Sequence, residues 1–154
     1  MNVLHLTHTD INSDSRILKE LESLSKNKKV RITALGVHMN EENKKYKKIE
    51  HVKIYSINLN SRKLIFLPAF IKHSLSVIEL TLKMIFNSFK AKPSIIHCHD
   101  TLVLPLGVLV KLFTGSKLIY DAHELESNRN GLSNTLGKMT FFVEKLLWRF
   151  IDKI

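Results

Sequence analysis

The chain has 154 residues, the size of one domain, and its 44% hydrophobic content is enough for a sizeable core. Lys and Arg number 24 against 14 acidic residues, a formal net charge of +10, so anionic partners are expected: nucleic acid, an anionic membrane face or small phosphorylated compounds. A single cysteine, Cys98, excludes an internal disulfide and suits a reducing compartment.

Val3–Thr7 reads as a short buried strand, followed by a polar turn in which Asp10, Asn12, Ser13 and Asp14 can each cap a helix. Ile17, Leu21 and Leu24 then recur at helical spacing, which predicts a helix from about Asp14 to Lys26. Val30–Val37 is a second strand. A charged loop with the run Lys44-Lys45-Tyr46-Lys47-Lys48 leads to a third, Val52–Ile57. Pro68 suits the first turn of a long helix reaching about Lys90, whose dense apolar residues read as core packing. Ser94–Cys98 is a fourth strand, and Leu102–Phe113 an apolar helix closed by Gly115. Lys117–Asp121 is a fifth strand. A polar loop to about Ser133 precedes a last helix, Asn134–Phe150.

This alternation predicts an α/β fold: a Rossmann-like parallel sheet with helices on both faces. In such sheets ligands sit beyond the carboxyl ends of the strands, where strand order reverses. Three strand ends are unusually polar: His8 to Asp14, His97-Cys98-His99-Asp100, and Asp121-Ala122-His123-Glu124. His97 and His99 share a side by strand periodicity. Asp100 is a natural helix cap. His99, placed at a helix start, should be neutral there and able to act as hydrogen-bonder or base. Asp14 and Arg16 divide between capping and substrate contact, because the start of the first helix offers free amides to an anion. His123 and Glu124 divide between loop capping and the cleft.

Several classes are disfavoured. The histidines and acids of these strand ends match no compact metal signature, so no metal is expected. The first glycine is Gly36, so neither a dinucleotide fingerprint nor a Walker motif follows the first strand. Lysine outweighs arginine, and no aromatic-interleaved basic strand appears, so nucleic acid is not the expected partner. Cys98 reads as a buried structural thiol. Met1–Thr7 lacks the features of a signal peptide. The apolar stretch at 64–89 is interrupted by Lys72, His73, Glu79 and Lys83. The expected location is cytoplasmic, peripheral at the inner face of a membrane if membrane-bound at all.

The segments Asp14-Ser15-Arg16-Ile17-Leu18-Lys19-Glu20, Val30–Gly36, Ile95-Ile96-His97-Cys98-His99-Asp100, Ile119-Tyr120-Asp121-Ala122-His123-Glu124-Leu125 and Glu144–Arg149, in this order and spacing, resemble the amino-terminal half of family 4 glycosyltransferases. That resemblance implies a GT-B fold, two Rossmann-like domains facing across a cleft, of which residues 1–154 would be the acceptor-side one. The reaction implied is sugar transfer with retention, from a nucleotide-sugar co-substrate to a saccharide or lipid-linked acceptor in envelope polysaccharide synthesis, with no further cofactor. By the same resemblance His99 would be the catalytic contact to the transferred sugar. Asp14, Arg16 and Asp100 would lie on the substrate side, and Asp121, His123 and Glu124 on the cleft wall. The first loop departs from the family in lacking a Gly-Gly pair, so phosphate contact is not expected there. The chain also ends before the last strand of the domain and the donor-binding domain, so alone it is expected to be inactive. Two alternatives remain: another GT-B enzyme such as a sugar-nucleotide epimerase, or a non-catalytic module for a phospho-sugar.

Overall fold

The computed structural model describes residues 1–38, 49–64, 66–121 and 134–154. The lysine run at 44–48 and the residues His123 and Glu124 lie outside the described residues. Five strands form one sheet: β1 (Asn2–Leu6), β2 (Arg31–Val37), β3 (Val52–Ile57), β4 (Ile95–Cys98) and β5 (Lys117–Tyr120). Their order is β3-β2-β1-β4-β5 and every pairing is parallel. This is the expected Rossmann-like α/β arrangement, and the strand order reverses between β1 and β4.

Each helix starts and stops for a local reason. The helix α1 (Ser15–Ser25) is capped by Asp14, whose Oδ1 accepts from the amides of Arg16 (3.1 Å) and Ile17 (3.2 Å). The helix α2 (Ala69–Ala91) follows Pro68 and ends at Lys92, in a left-handed conformation. The helix α3 (Leu104–Thr114) carries Pro105 in its first turn and ends at Gly115 with φ of 70°, which favours glycine. The fourth, α4, spans Asn134–Leu147. Beyond it the chain runs along the outer edge of β5, where Lys153 makes a parallel bridge to Ile119.

Strand periodicity divides the core between two faces. Leu4, Leu6, Ile96, Cys98, Leu118 and Tyr120 pack with Met84 of α2 and the buried residues of α3. On the other face Val3, Ile32 and Ala34 pack against Ile17 and Leu21 of α1. The contact of α3 with β4 depends on Gly107, since a Cβ there would collide with Cys98 Sγ. Gly36 has a similar role at the end of β2. A Cβ at Gly36 would lie 2.7 Å from the Thr9 carbonyl, so glycine lets the loop after β1 fold back and accept the Val37 amide (3.0 Å).

The structure corrects the expected environment of α2. Its only fully buried residues are Met84 and Ser88. Phe70, Ile78, Leu82 and Phe86, spaced on one face, are exposed. The sheet and α3 contact one side of the helix, and its apolar residues encircle more of it than that side can cover. Among the described residues no helix is long and apolar enough to cross a membrane.

Candidate functional site

A parallel sheet brings the carboxyl ends of β1, β4 and β5 to one edge, and the reversal of strand order opens a crevice between β1 and β4. The loop after β1 and the turn after β4 meet there. Asp100 joins them: its Oδ2 accepts from the His8 amide (3.0 Å) and the Thr7 hydroxyl (3.2 Å), and lies 2.8 Å from His8 Nδ1. Its Oδ1 accepts from the Val103 amide at 3.1 Å. Burial alone would raise this carboxyl, but the hydrogen bonds from His8 and Val103 hold it below the usual carboxylate range. The geometry of Asp100 is that of a buried clamp between two loops, capping the turn that leads into α3.

Asp14 caps α1 and its Oδ2 lies 3.7 Å from the half-exposed Arg16 guanidinium. Two of the amides that the sequence offered to an anion are therefore taken by a carboxylate. Asp10 caps the 3-10 turn Ile11–Ser13 in the same way, and the Asn12 amide group donates to it and to Ser56 of β3. Asp121 stands at the end of β5 on the same edge, its amide bonded to the Cys98 carbonyl at 2.9 Å.

His99 is placed differently from the sequence expectation. It does not open a helix, because a turn separates it from Leu104, where α3 begins. It lies under α1, 5% exposed, with Nε2 2.9 Å from Nδ1 of His5, which is itself 1% exposed. His5 and His97 are direct neighbours in the β1–β4 register, so their side chains leave the sheet on one face. The rings of His97 and His99 are 4.3 Å apart, and those of His5 and His99 stack at 5.2 Å. Glu20 of α1 closes the group, with Oε1 2.9 Å from His97 Nδ1 and Oε2 3.9 Å from His99 Nδ1.

Burial, followed by the like charge of the neighbouring imidazoles, sets the protonation of this cluster. It pushes His5 down to about 3 and His99 down to about 4, so both are neutral near pH 7. Burial rather than a helix end thus keeps His99 neutral. Burial would raise Glu20, but its hydrogen bond with His97 and the adjacent imidazoles prevail and hold it at about 2. Cys98, on the opposite face and fully buried, has its thiol pushed well above the usual range by burial.

Of the seven residues singled out from the sequence, the structure gathers Asp14, Arg16, His99, Asp100 and Asp121 at one edge, while His123 and Glu124 lie outside the described residues. His5 and Glu20 were missed. Strand periodicity could have put His5 on the face of Val3. Glu20, one turn after Arg16 and beside Leu21, could have been placed at the border of the apolar stripe of α1. Their meeting with His97 and His99 required the strand order.

Neither a protein-family model nor a curated protein matches the sequence. Solved structures do. Sucrose-phosphate synthase from Thermosynechococcus elongatus superposes with a TM-score of 0.67 at 13% identity, over 98% of this chain and 40% of that one. MurG of Acinetobacter baumannii gives 0.55 at 15% identity, over 98% and 39%. Anabaena HepE, in complex with UDP and glucose, gives 0.56 at 12% identity, over 98% and 36%. The chain spans about two fifths of the length of these proteins. It has the Rossmann-like α/β fold that the matched part of these structures, GT-B in architecture, also has.

Proposed function

We propose that the chain is the acceptor-side domain of a two-domain glycosyltransferase, moving a sugar with retention from a nucleotide-sugar to a saccharide or lipid-linked acceptor. The observation that carries this reading is the convergence of polar strand ends at the β1–β4 crevice. The folds of sucrose-phosphate synthase, MurG and HepE support it, the last having been solved with UDP and glucose. In this reading a second, donor-binding domain holds the nucleotide. Arg16, half exposed in the first turn of α1, and Asp121 at the end of β5 face the acceptor. Asp100 fixes the two loops. His99 reaches the transferred sugar when its imidazole turns out from under α1.

The phospho-sugar module is less well supported, since Asp14 occupies the helix amides that would bind phosphate. An anionic membrane belongs to the proposal. The exposed stripe Phe70, Ile78, Leu82 and Phe86, on a chain of net charge +10, has the two properties an interfacial helix needs. Sedimentation with anionic vesicles, but not with zwitterionic ones, is the expected result.

NMR titration of the chain tests the acceptor reading. Saccharides or polyprenyl-linked saccharides should shift resonances of Arg16, Asp121 and the histidine cluster, and Arg16→Ala should weaken binding roughly tenfold, the loss of one charge-assisted hydrogen bond. UDP alone should not bind. Tight nucleotide or phospho-sugar binding with no response to any saccharide would overturn it.

A further inference from the structure

The histidine cluster under α1 has a second chemical capacity, which competes with the sugar contact proposed for His99. We propose that His5, Glu20, His97 and His99 form a site for one divalent transition-metal ion of the zinc type. Three imidazoles and a carboxylate are a ligand set that zinc takes, and four protein ligands without an open position define a structural site. One donor atom from each residue lies within 4.8 Å of the others. Tetrahedral bonds of 2.0–2.1 Å put neighbouring ligand atoms about 3.3 Å apart, so ligation by all four residues requires the cluster to contract and the hydrogen bond between His5 and His99 to open.

The second observation is two buried nitrogens without a hydrogen-bond partner, His5 Nε2 and His99 Nδ1. Buried polar atoms are nearly always satisfied, and an orphaned one points to an ion or water. The bond between His5 Nδ1 and His99 Nε2 uses one proton between two neutral rings. Whichever ring donates it, one of the two orphan nitrogens keeps a lone pair. His99 Nδ1 also faces the Glu20 carboxylate. The chain supplies the movement from its outer side: Glu20 is about one-third exposed on α1, whereas His5 and His99 are sealed on the sheet. Arg16, one turn before Glu20, is the nearby positive charge acting on His99, and its half-exposed head group can remain in water while an ion binds. An ion here would pin α1 to β1 and β4 and hold His99 beneath the helix.

The test uses the untagged chain, stripped with chelator. Cobalt(II) added to one equivalent should give the intense visible absorption of a tetrahedral complex, displaced by zinc. Zinc at 100 times its Kd should raise Tm by roughly 5–10 °C. Glu20→Gln and His97→Ala, both at the accessible side, should each weaken affinity by roughly 100-fold or more. His73→Ala, exposed on α2, should leave it unchanged. A weak octahedral cobalt spectrum, the absence of saturation at one equivalent, or full affinity in both ligand variants would overturn the site and leave a hydrogen-bonded imidazole cluster. Saccharide binding does not enter these readouts, so the metal site and the acceptor reading fail separately.

Discussion

The two faces of the sheet are built from the same strands and do opposite things. Toward α2 and α3, β1 and β4 present Leu4, Leu6, Ile96 and Cys98, all buried among apolar neighbours. Toward α1 they present Val3 and Ile95 in their first half, then His5 and His97 in their second. Along β1 and β4 the first face is apolar from end to end. The other changes from apolar to titratable toward the carboxyl edge, where this fold places ligands. The difference teaches that chemistry here is confined to half of one face, backed by a close-packed layer that can bear its electrostatic cost.

Adjacent residues of β1 give the strongest way to break that comparison. Leu4→Ala should lower stability by about 3–5 kcal/mol, because the side chain is fully buried and its surroundings cannot collapse around the void. His5→Leu should cost less than about 1.5 kcal/mol near pH 7, since it strands His99 Nε2 but also removes the orphaned His5 Nε2. Urea denaturation in the presence of chelator measures both. Equal losses would mean that the two faces are energetically alike.

Acid should sharpen the contrast. In the unfolded chain both histidines titrate near 6.5, and in the fold His5 titrates at about 3 and His99 at about 4. Between these limits the unfolded state binds more protons. Stability is therefore complete above pH 6.5 and falls as pH drops, each histidine contributing a slope of at most about 1.4 kcal/mol per pH unit. Glu20, ordinarily near 4.5 and held at about 2, adds a loss in the same direction below pH 4.5. Stability measured from pH 7.5 to 4 should show a shallower slope for His5→Leu than for the unchanged chain. Leu4→Ala should be displaced downward in parallel. A slope unaffected by His5→Leu would remove the burial account of the cluster.

Much of this was legible in the sequence. Among the described residues, the five strands and four α-helices follow from apolar periodicity and punctuating residues, because those signals are local. Asp14 as a helix cap and Cys98 as a buried thiol are local too. The start of α3 was set two residues early, since the bond from the Val103 amide to Asp100 holds a turn ahead of it. The exposure of α2 was not legible: composition reports how many apolar residues a helix has, not how many faces its neighbours can cover. The histidine cluster was half legible. His97 and His99 stand two residues apart, but His5 and Glu20 join them across long sequence separations, through the β1–β4 register and the placement of α1 over it.

The smallest effect decides what Asp14 does. As a cap it satisfies two amides, so Asp14→Ala should cost about 1 kcal/mol. Asp14→Ser keeps a side-chain oxygen that can accept from the same amides, and removes the negative charge. If Asp14 is only a cap, the serine variant should match the original chain within a few tenths of a kcal/mol in thermal unfolding and in saccharide titration alike. If Asp14 also contacts acceptor, the serine variant should keep its stability and lose affinity. Arg16 separates these cases further. Its guanidinium is 3.7 Å from the Asp14 carboxylate and half exposed, a geometry that contributes little to folding. A drop in saccharide affinity shared by Asp14→Ser and Arg16→Ala, without a shared drop in stability, would assign the pair to the ligand; a drop in Asp14→Ala stability alone would leave α1 with an ordinary cap and place acceptor contact elsewhere on the rim.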